Sequence, residues 1–259
     1  MQQALYTVAD NCRIARDIYK MTLLGDTTAF SAPGQFVNIK VDGFYLRRPI
    51  SVCHYNSNTL TLIYKTVGKG TDALSRVQRG AALDLLTGLG NGFDLTVSGD
   101  RPLIIGGGVG VPPLYRLCRD LSNQGKKPTV ILGFNSEADM FYIDEFARVA
   151  YDVRVVTADG SFGDEGLVTD VMAKLGDYTY FYACGPIPML KAVCRLAQTS
   201  GQVSLEERMG CGFGACMGCS IQTTDGAKRV CKDGPVFTKE ALEWSIQRFL
   251  FAAWSWRIP

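Results

Sequence analysis

The sequence predicts a multi-domain protein: an antiparallel β-barrel or sandwich, then an α/β domain on a parallel sheet, then a small cysteine-rich C-terminal domain. Three observations carry this prediction. Apolar residues recur with period two through the first hundred positions. Beyond Arg101, short apolar runs alternate with helical spacings. Four of the nine cysteines crowd between Cys211 and Cys231. A chain of 259 residues that is 47% hydrophobic and 20% charged has an ordinary globular composition, and its length favours more than one domain. A net charge of +2 without basic runs leaves no footprint for nucleic acid. No stretch approaches the ~18–20 apolar residues of a membrane span, and MQQALYTVADNCR lacks the form of a signal peptide, so a cytoplasmic location is expected. The single histidine, His54, argues against imidazole-based triads or metal sites.

In the first domain, Val37, Ile39 and Val41 alternate with Phe36, Asn38 and Lys40. Leu60, Leu62 and Tyr64 likewise alternate with Thr61, Ile63 and Lys65. Turn clusters at Ala32-Pro33-Gly34 and Asn56-Ser57-Asn58 separate these runs, as in a sheet with one covered face. A short helix is expected from Thr71, as N-cap, to Gly80 just past its end.

The boundary falls at 98–101. Pro102–Ile105 is an apolar strand, followed by helical spacing at Leu114, Leu117, Cys118 and Leu121 and a stop at Gly125. Next come a strand over Thr129–Leu132, a helix near Ile143–Val149 and a strand over Val153–Thr157. A helix carried by Val168, Val171, Met172 and Leu175 leads to a strand over Tyr178–Ala183. Leu190, Val193, Cys194 and Ala197 mark the last helix. Such alternation implies right-handed βαβ units on a parallel sheet. From Met209 the chain is rich in glycine and cysteine and too short for a core of its own, so metal would have to organise it.

Four local patterns carry chemistry. Gly106, Gly107, Gly108 and Gly110 lie between a strand and a helix, where backbone N–H groups and a helix N-terminus can hold a pyrophosphate; the alternative is a tight turn. The pattern departs from GxGxxG because Pro113 takes the third glycine position, a substitution the first helical turn tolerates. In Arg48-Pro49-Ile50-Ser51 an arginine can grip a phosphate and a serine can reach a ring atom, or the segment is an edge strand with a solvated arginine. Gly68-Lys69-Gly70-Thr71 is a second phosphate candidate or simply a capped turn. Cys184-Gly185-Pro186 closes a strand at the carboxyl edge of the sheet, where a thiol can face a bound ring or pack as a small apolar group.

The most specific pattern is Cys211-x4-Cys216-x2-Cys219 with Cys231 twelve positions on, which matches the plant-type [2Fe–2S] spacing. Gly210, Gly212, Gly214 and Gly218 interleave these cysteines and leave room for backbone N–H groups to approach sulfur. A structural zinc site usually takes two C-x2-C pairs, and only one is present, so the spacing favours iron–sulfur. The remaining Cys12, Cys53, Cys118 and Cys194 read as small apolar residues at core or strand positions.

These elements, with Ile63-Tyr64-Lys65 and Arg229-Val230-Cys231-Lys232-Asp233-Gly234-Pro235, occur here in the order seen in one family. Over residues 3–244 the chain resembles the ferredoxin-NADP⁺ reductase-like flavoproteins, and within them the electron-transfer subunits of class 1B dihydroorotate dehydrogenase. The resemblance implies an FAD-binding β-barrel over 1–99, an NAD-binding α/β domain over 100–206 and a [2Fe–2S] domain over 207–244. Arg48, Pro49, Ile50 and Ser51 would hold FAD, with Ser51 near flavin N5. Ile63, Tyr64 and Lys65 would line its ribityl and adenosine side, and Gly70 and Thr71 its pyrophosphate. Gly106–Gly110 with Cys184, Gly185 and Pro186 would hold NAD, and Cys211, Cys216, Cys219 and Cys231 the cluster.

The same resemblance implies a partner subunit that carries FMN and oxidises dihydroorotate for pyrimidine biosynthesis, in a heterotetramer with two copies of each chain. Electrons would pass through the cluster and FAD to NAD⁺ as acceptor. Related subunits of NADH-dependent ferredoxin:NADP⁺ oxidoreductase or sulfide dehydrogenase complexes are the alternative, and a zinc-stabilised nucleotide-binding module is a further one. Asn135-Ser136-Glu137-Ala138-Asp139 offers acids and no arginine for a 2′-phosphate, which leans toward NAD over NADP. The tail 245–259 departs from the family. It holds two of the three tryptophans and a possible helical stripe of Ile246, Phe249, Leu250 and Ala253, suited to a partner groove or membrane surface unless it is a poorly packed end.

Overall fold

A computed structural model of the chain describes residues 1–244; the stripe expected in the tail lies outside them. The period-two runs form six strands: β1 (Gln2–Ala15), β2 (Ile18–Leu24), β3 (Phe36–Ile39), β4 (Arg48–Tyr55), β5 (Thr59–Lys65) and β6 (Ala82–Leu89). They close into an antiparallel barrel in the order β1-β2-β5-β4-β3-β6, which settles barrel against sandwich. One apolar face of each strand fills the interior, including Val8, Met21, Val37, Ile39, Leu60, Leu62, Tyr64 and Leu85. On β3 the opposite face is buried as well, with Phe36 3% and Asn38 1% exposed, because a second core covers it. A helix, α1 (Lys69–Ser75), lies between β5 and β6. It starts earlier than expected, with Gly68 as N-cap, so Thr71 occupies the third helical position.

The α/β domain is built on β7 (Pro102–Gly107), β8 (Thr129–Phe134), β9 (Asp152–Thr157), β10 (Asp164–Glu165), β11 (Tyr180–Cys184) and β12 (Gly201–Ser204). Its helices are α2 (Pro112–Asn123), α3 (Ile143–Ala147), α4 (Val168–Met172) and α5 (Ile187–Leu196). The helical apolar positions of α2 and α5 are buried against the sheet, as their spacing requires.

The C-terminal segment departs from the picture of a unit organised by metal alone. Its hairpin β13 (Ser220–Thr223) and β14 (Gly226–Arg229) is followed by β15 (Val236–Thr238), which pairs antiparallel with β12 and extends the sheet to the order β10-β9-β8-β7-β11-β12-β15. Cys219, Ile221, Val230, Phe237 and Leu242 share one apolar core with Leu103, Phe181 and Val203. A segment too short to bury itself borrows the open edge and core of its neighbour. Among the described residues no helix is long and apolar enough to cross a membrane.

The barrel packs directly on the α/β domain. Ile18, Cys53 and Ile63 from the barrel join Ile104, Leu114, Leu117 and Phe134 in one buried cluster. Arg116 of α2 donates to the Tyr55 carbonyl at 2.7 Å and lies 4.1 Å from the centre of its ring. His54 stacks edge-on to Tyr115, and its Nε2 is 2.9 Å from Arg119 Nη1. Three of the four spare cysteines, Cys53, Cys118 and Cys194, are buried as expected, whereas Cys12 on β1 is exposed.

Burial, with the charges of Arg119 and Arg116, pushes His54 down from 6.5 to about 4. The unfolded chain therefore takes up a proton at a higher pH than the folded one. Stability present above about pH 6.5 is lost as pH falls toward about 4. Urea midpoints measured across this window should fall with pH in the wild type and change less in His54→Gln.

Candidate functional site

The sheet's connectivity creates the site. From β7 the chain runs outward through β8, β9 and β10, then returns to β11 on the other side of β7 and continues to β12. Neighbouring strands that diverge in this way leave a crevice at their carboxyl ends. Gly106 of β7 lies level with Cys184 of β11, so the two following loops emerge side by side. A methyl group at Gly110 would overlap the carbonyl oxygen of Cys184, so these loops approach closely only with glycine there. Pro112 and Pro113 occupy the first positions of α2, as the Pro113 substitution required.

A cleft of about 530 Å³ opens at this point. The α/β domain contributes Gly107, Gly108, Gly110, Cys184, Gly185 and Pro186, and the barrel contributes Ser51 and Lys65. Residues 48–51 and 106–110 are far apart in sequence, yet the docking of the barrel brings Ser51 to the glycine loop. Gly106 itself is a packing residue within β7, where a side chain would press on Val111. Burial pushes the Cys184 thiol up to about 12, partly offset by a hydrogen bond with Ser204. It therefore remains a neutral, weakly polar surface rather than a nucleophile.

Arg48 and Gly70 meet elsewhere on the barrel. The guanidinium lies 4.8 Å from the Phe44 ring centre and so close over Gly70 that a methyl group there would collide with it. An arginine over the first turn of a helix is a donor set suited to a diphosphate. Thr71 does not cap the helix. Its hydroxyl accepts from Val67 N at 2.9 Å and Gly68 N at 3.3 Å and donates to the Gly68 carbonyl at 3.1 Å, fixing the turn on which Gly70 sits.

Ile63 and Tyr64 turn their side chains into the two cores, and the Tyr64 hydroxyl donates to Asn11 at 2.9 Å. Any ligand contact from this pair runs through backbone, and Lys65 alone of the three presents its side chain to the cleft. Pro49 is half-buried on β4, and Ile50 packs against the barrel core.

The four cysteines come as two pairs. Ala215 N and Cys216 N donate to Cys211 Sγ at 3.2 and 3.4 Å, and Cys211 N points at Cys216 Sγ at 3.5 Å. Cys231 N donates to Cys219 Sγ at 3.4 Å. Burial raises the Cys211 thiol, but N–H groups of Phe213, Cys216 and Ala215 outweigh it and bring it down to about 6. Burial and Cys219 push Cys231 up to about 12. Among the described residues no three His, Cys, Asp or Glu side chains converge on one ion position. Four cysteine sulfurs with backbone N–H groups aimed at those of Cys211, Cys216 and Cys219 form a donor set that fits a [2Fe–2S] cluster.

A side chain at Gly210 would press on Cys216 Sγ, whereas one at Gly218 would only touch it. Gly212 and Gly214 instead pass Asn38 and Lys232 with positive φ. The Gly214 N–H nonetheless meets the Cys231 sulfur, as the approach of backbone N–H groups expected of these glycines requires. Arg229 closes the loop, donating to the Gly214 carbonyl at 3.0 Å and pairing with Asp233 at 3.0 Å. Asn38 of β3 donates to the Cys211 carbonyl at 3.1 Å.

Sequence reasoning missed Ser204, Leu205 and Glu206 in the cleft, because β12, whose carboxyl end carries them, had no local signal. It also missed Arg16, whose guanidinium reaches Asp139 from the barrel.

A barrel docked on a parallel sheet, with a dinucleotide-sized cleft at the switch point and a four-cysteine loop, defines the class of flavin- and NAD-linked reductases with an iron–sulfur centre. Comparison with known proteins agrees. Residues 104–195 match the oxidoreductase NAD-binding domain, and residues 206–243 match the iron-sulfur cluster binding domain of dihydroorotate dehydrogenase B. The electron transfer subunit of dihydroorotate dehydrogenase B (NAD(+)) from Fusobacterium nucleatum is 42% identical over 252 residues, covering 92% of this chain and 97% of that one. The subunit of the same name from Bacillus caldolyticus is 45% identical over 244 residues, covering 89% and 95%.

Among solved structures, an NADH-dependent reduced ferredoxin-NADP oxidoreductase superposes with a TM-score of 0.85 at 29% identity, covering 93% of this chain and 91% of that one. A cytochrome P450 reductase from Amycolatopsis shares the fold, with a TM-score of 0.67 at 22% identity, covering 75% and 65%. The chain belongs to the family of dihydroorotate dehydrogenase B electron transfer subunits.

The residues present fit the cofactors of this family: FAD at the Arg48–Gly70 turn and Ser51, NAD in the cleft, and [2Fe–2S] at the cysteine pairs. Gly70→Ala should weaken FAD retention tenfold or more, about 1.4 kcal/mol, while leaving the far-ultraviolet circular dichroism unchanged. Flavin content after purification checks this.

Proposed function

We propose that this chain carries electrons from a partner subunit, on which dihydroorotate is oxidised to orotate, to NAD⁺. The observation that carries the reading is the shared cleft, in which Ser51 and Lys65 of the barrel face the glycine loop and Cys184 of the α/β domain. When bound, FAD, the [2Fe–2S] cluster and NAD⁺ supply one-electron and hydride chemistry that no protein side chain offers.

The chain's own residues position these groups. Arg48 and the N–H groups of Gly70 and Thr71 hold the FAD diphosphate, and Ser51 sets the flavin edge toward the cleft. Gly107, Gly108 and Gly110 hold the NAD diphosphate at the start of α2, and Cys184, Gly185 and Pro186 form a neutral floor for the nicotinamide. Cys211, Cys216, Cys219 and Cys231 ligate the cluster. His54 lies at the contact of β4 and α2, outside the cleft, so proton transfer at the substrate belongs to the partner. On this reading residues 1–99, 100–206 and 207–244 are the FAD, NAD and cluster domains. The partner is an FMN-containing catalytic subunit, in an assembly with two copies of each chain.

The NADH-dependent reduced ferredoxin-NADP oxidoreductase is the structural neighbour that offers a second reading. Its 29% identity, against 42–45% for the dihydroorotate dehydrogenase B subunits, favours the first. Co-purification with the catalytic subunit tests the choice. In the complex, Cys216→Ala should lower dihydroorotate-dependent NAD⁺ reduction by about a hundredfold or more (about 2.7 kcal/mol), while NADH-dependent dye reduction stays within about threefold. Intact dihydroorotate-dependent activity in this variant would remove the cluster from the route.

A further inference from the structure

Two asparagines of the barrel grip the four-cysteine segment from opposite ends. Asn91, just after β6, meets the start of β15 at two points. Val236 N donates to its Oδ1 at 3.1 Å, and its Nδ2 donates to the Val236 carbonyl at 2.8 Å. The Asn91 backbone N–H also donates to the Gly234 carbonyl at 2.8 Å. This grip lies past Cys231, on the strand that extends the sheet. Asn38 of β3 acts at the other end, on a cysteine itself, through the bond from its Nδ2 to the Cys211 carbonyl at 3.1 Å. The next residue, Gly212, has φ +80° and passes so near that a methyl group there would collide with Nδ2.

The surroundings of Asn38 set it apart from a packing residue. It shares the outer face of β3 with Phe36, which joins Leu89, Cys219 and Cys231 in one apolar core. Its Oδ1 is buried and has no hydrogen-bond partner among the described residues. A buried acceptor left unmet opposes folding, so an apolar side chain of the same shape would serve stability better. The strand register adds a position. Asn38 pairs with Pro49, and Phe36 with Ser51, so Asn38 is a diagonal neighbour of Ser51 on one face of the ladder.

We propose that Asn38 is a positioning residue for the iron–sulfur cluster: its amide fixes the Cys211–Gly212 peptide and, through it, the Cys211 sulfur. Ala215 N and Cys216 N aim at that sulfur at 3.2 and 3.4 Å, an arrangement that lasts only while the peptide does not turn. The amide also places a donor beside a group that gains an electron, which favours the reduced form of the cluster. The inference rests on the reading of the four cysteines as cluster ligands.

The test uses the full complex, with flavin, cluster and partner bound, and reads the cluster itself. Asn38→Leu removes the donor and the unmet acceptor at nearly constant shape. The Cys211 carbonyl it frees belongs to a residue only partly buried, where water can replace the amide. The urea midpoint should therefore match or exceed that of the wild type. Iron release to excess chelator should be faster by about tenfold or more. The reduction potential of the cluster should fall, shifting the one-electron equilibrium about threefold, or about 28 mV at about 59 mV per tenfold. Asn91→Ala should show the reverse pattern, a lower urea midpoint with iron release and potential as in the wild type. Should Asn38→Leu fail to fold, Asn38→Ser, which leaves room for water, should show the same two changes in the cluster.

An unchanged release rate or an unchanged potential in the folded Asn38 variant overturns the inference. So does an Asn91→Ala protein that matches it in both, because any slackening of the barrel contact would then suffice. A wild-type complex that holds no iron overturns the cluster reading itself, and this inference with it.

Discussion

Two loops that emerge from neighbouring parallel strands pass each other without room for a methyl group. Gly110 lies against the Cys184 carbonyl, at the one place in the sheet where successive connections leave in opposite directions. The rest of the site depends on that contact. It brings the start of α2 and the end of β11 to the floor of a single cleft, beside which the barrel packs through Cys53, Ile63 and Ile18. Ser51 reaches the cleft because β4 alternates: Val52 fills the barrel, while its neighbours Ser51 and Cys53 face the second domain.

The cysteine loop answers a different problem. It cannot bury itself, so it adds β15 to the sheet, shares that domain's core, and is fastened to the barrel by Asn38. The Arg229–Asp233 pair then holds the turn bearing Cys231 to the loop bearing the other three cysteines. Apolar packing and two fixed side chains thus organise much of what metal binding alone would otherwise have to organise. The Asn38–Cys211 contact also lays the four-cysteine loop against the barrel.

Much of this was legible in the sequence, for identifiable reasons. The helices α2 and α5 and the strands β7, β8, β9 and β11 follow from local periodicity, and the four-cysteine pattern from spacing along the chain. The barrel strands were legible as strands, but their closure rests on pairings such as Gln2 with Thr87 that no local pattern encodes. β12 is four residues, buried on both faces and carrying Gln202, whose side chain serves the Asp94 N–H at 2.9 Å; nothing in its composition distinguishes it from a turn. Ser204 and Glu206 were lost with it. Thr71 read as a cap because its type and position suit one, whereas Gly68 takes that role. Arg16 illustrates the general limit, since the stretch at 135–139 has no arginine and the fold supplies one from 123 residues away.

The central claim is that the cleft holds nicotinamide against a flavin seated in the barrel. Anaerobic titration of NADH into the purified, flavin-bearing chain tests it most directly, because that reaction needs no partner and no substrate site. The account predicts stoichiometric bleaching of the flavin absorbance by NADH. A chain that retains flavin and iron–sulfur absorbance, and shows no change in either on addition of NADH, would contradict it.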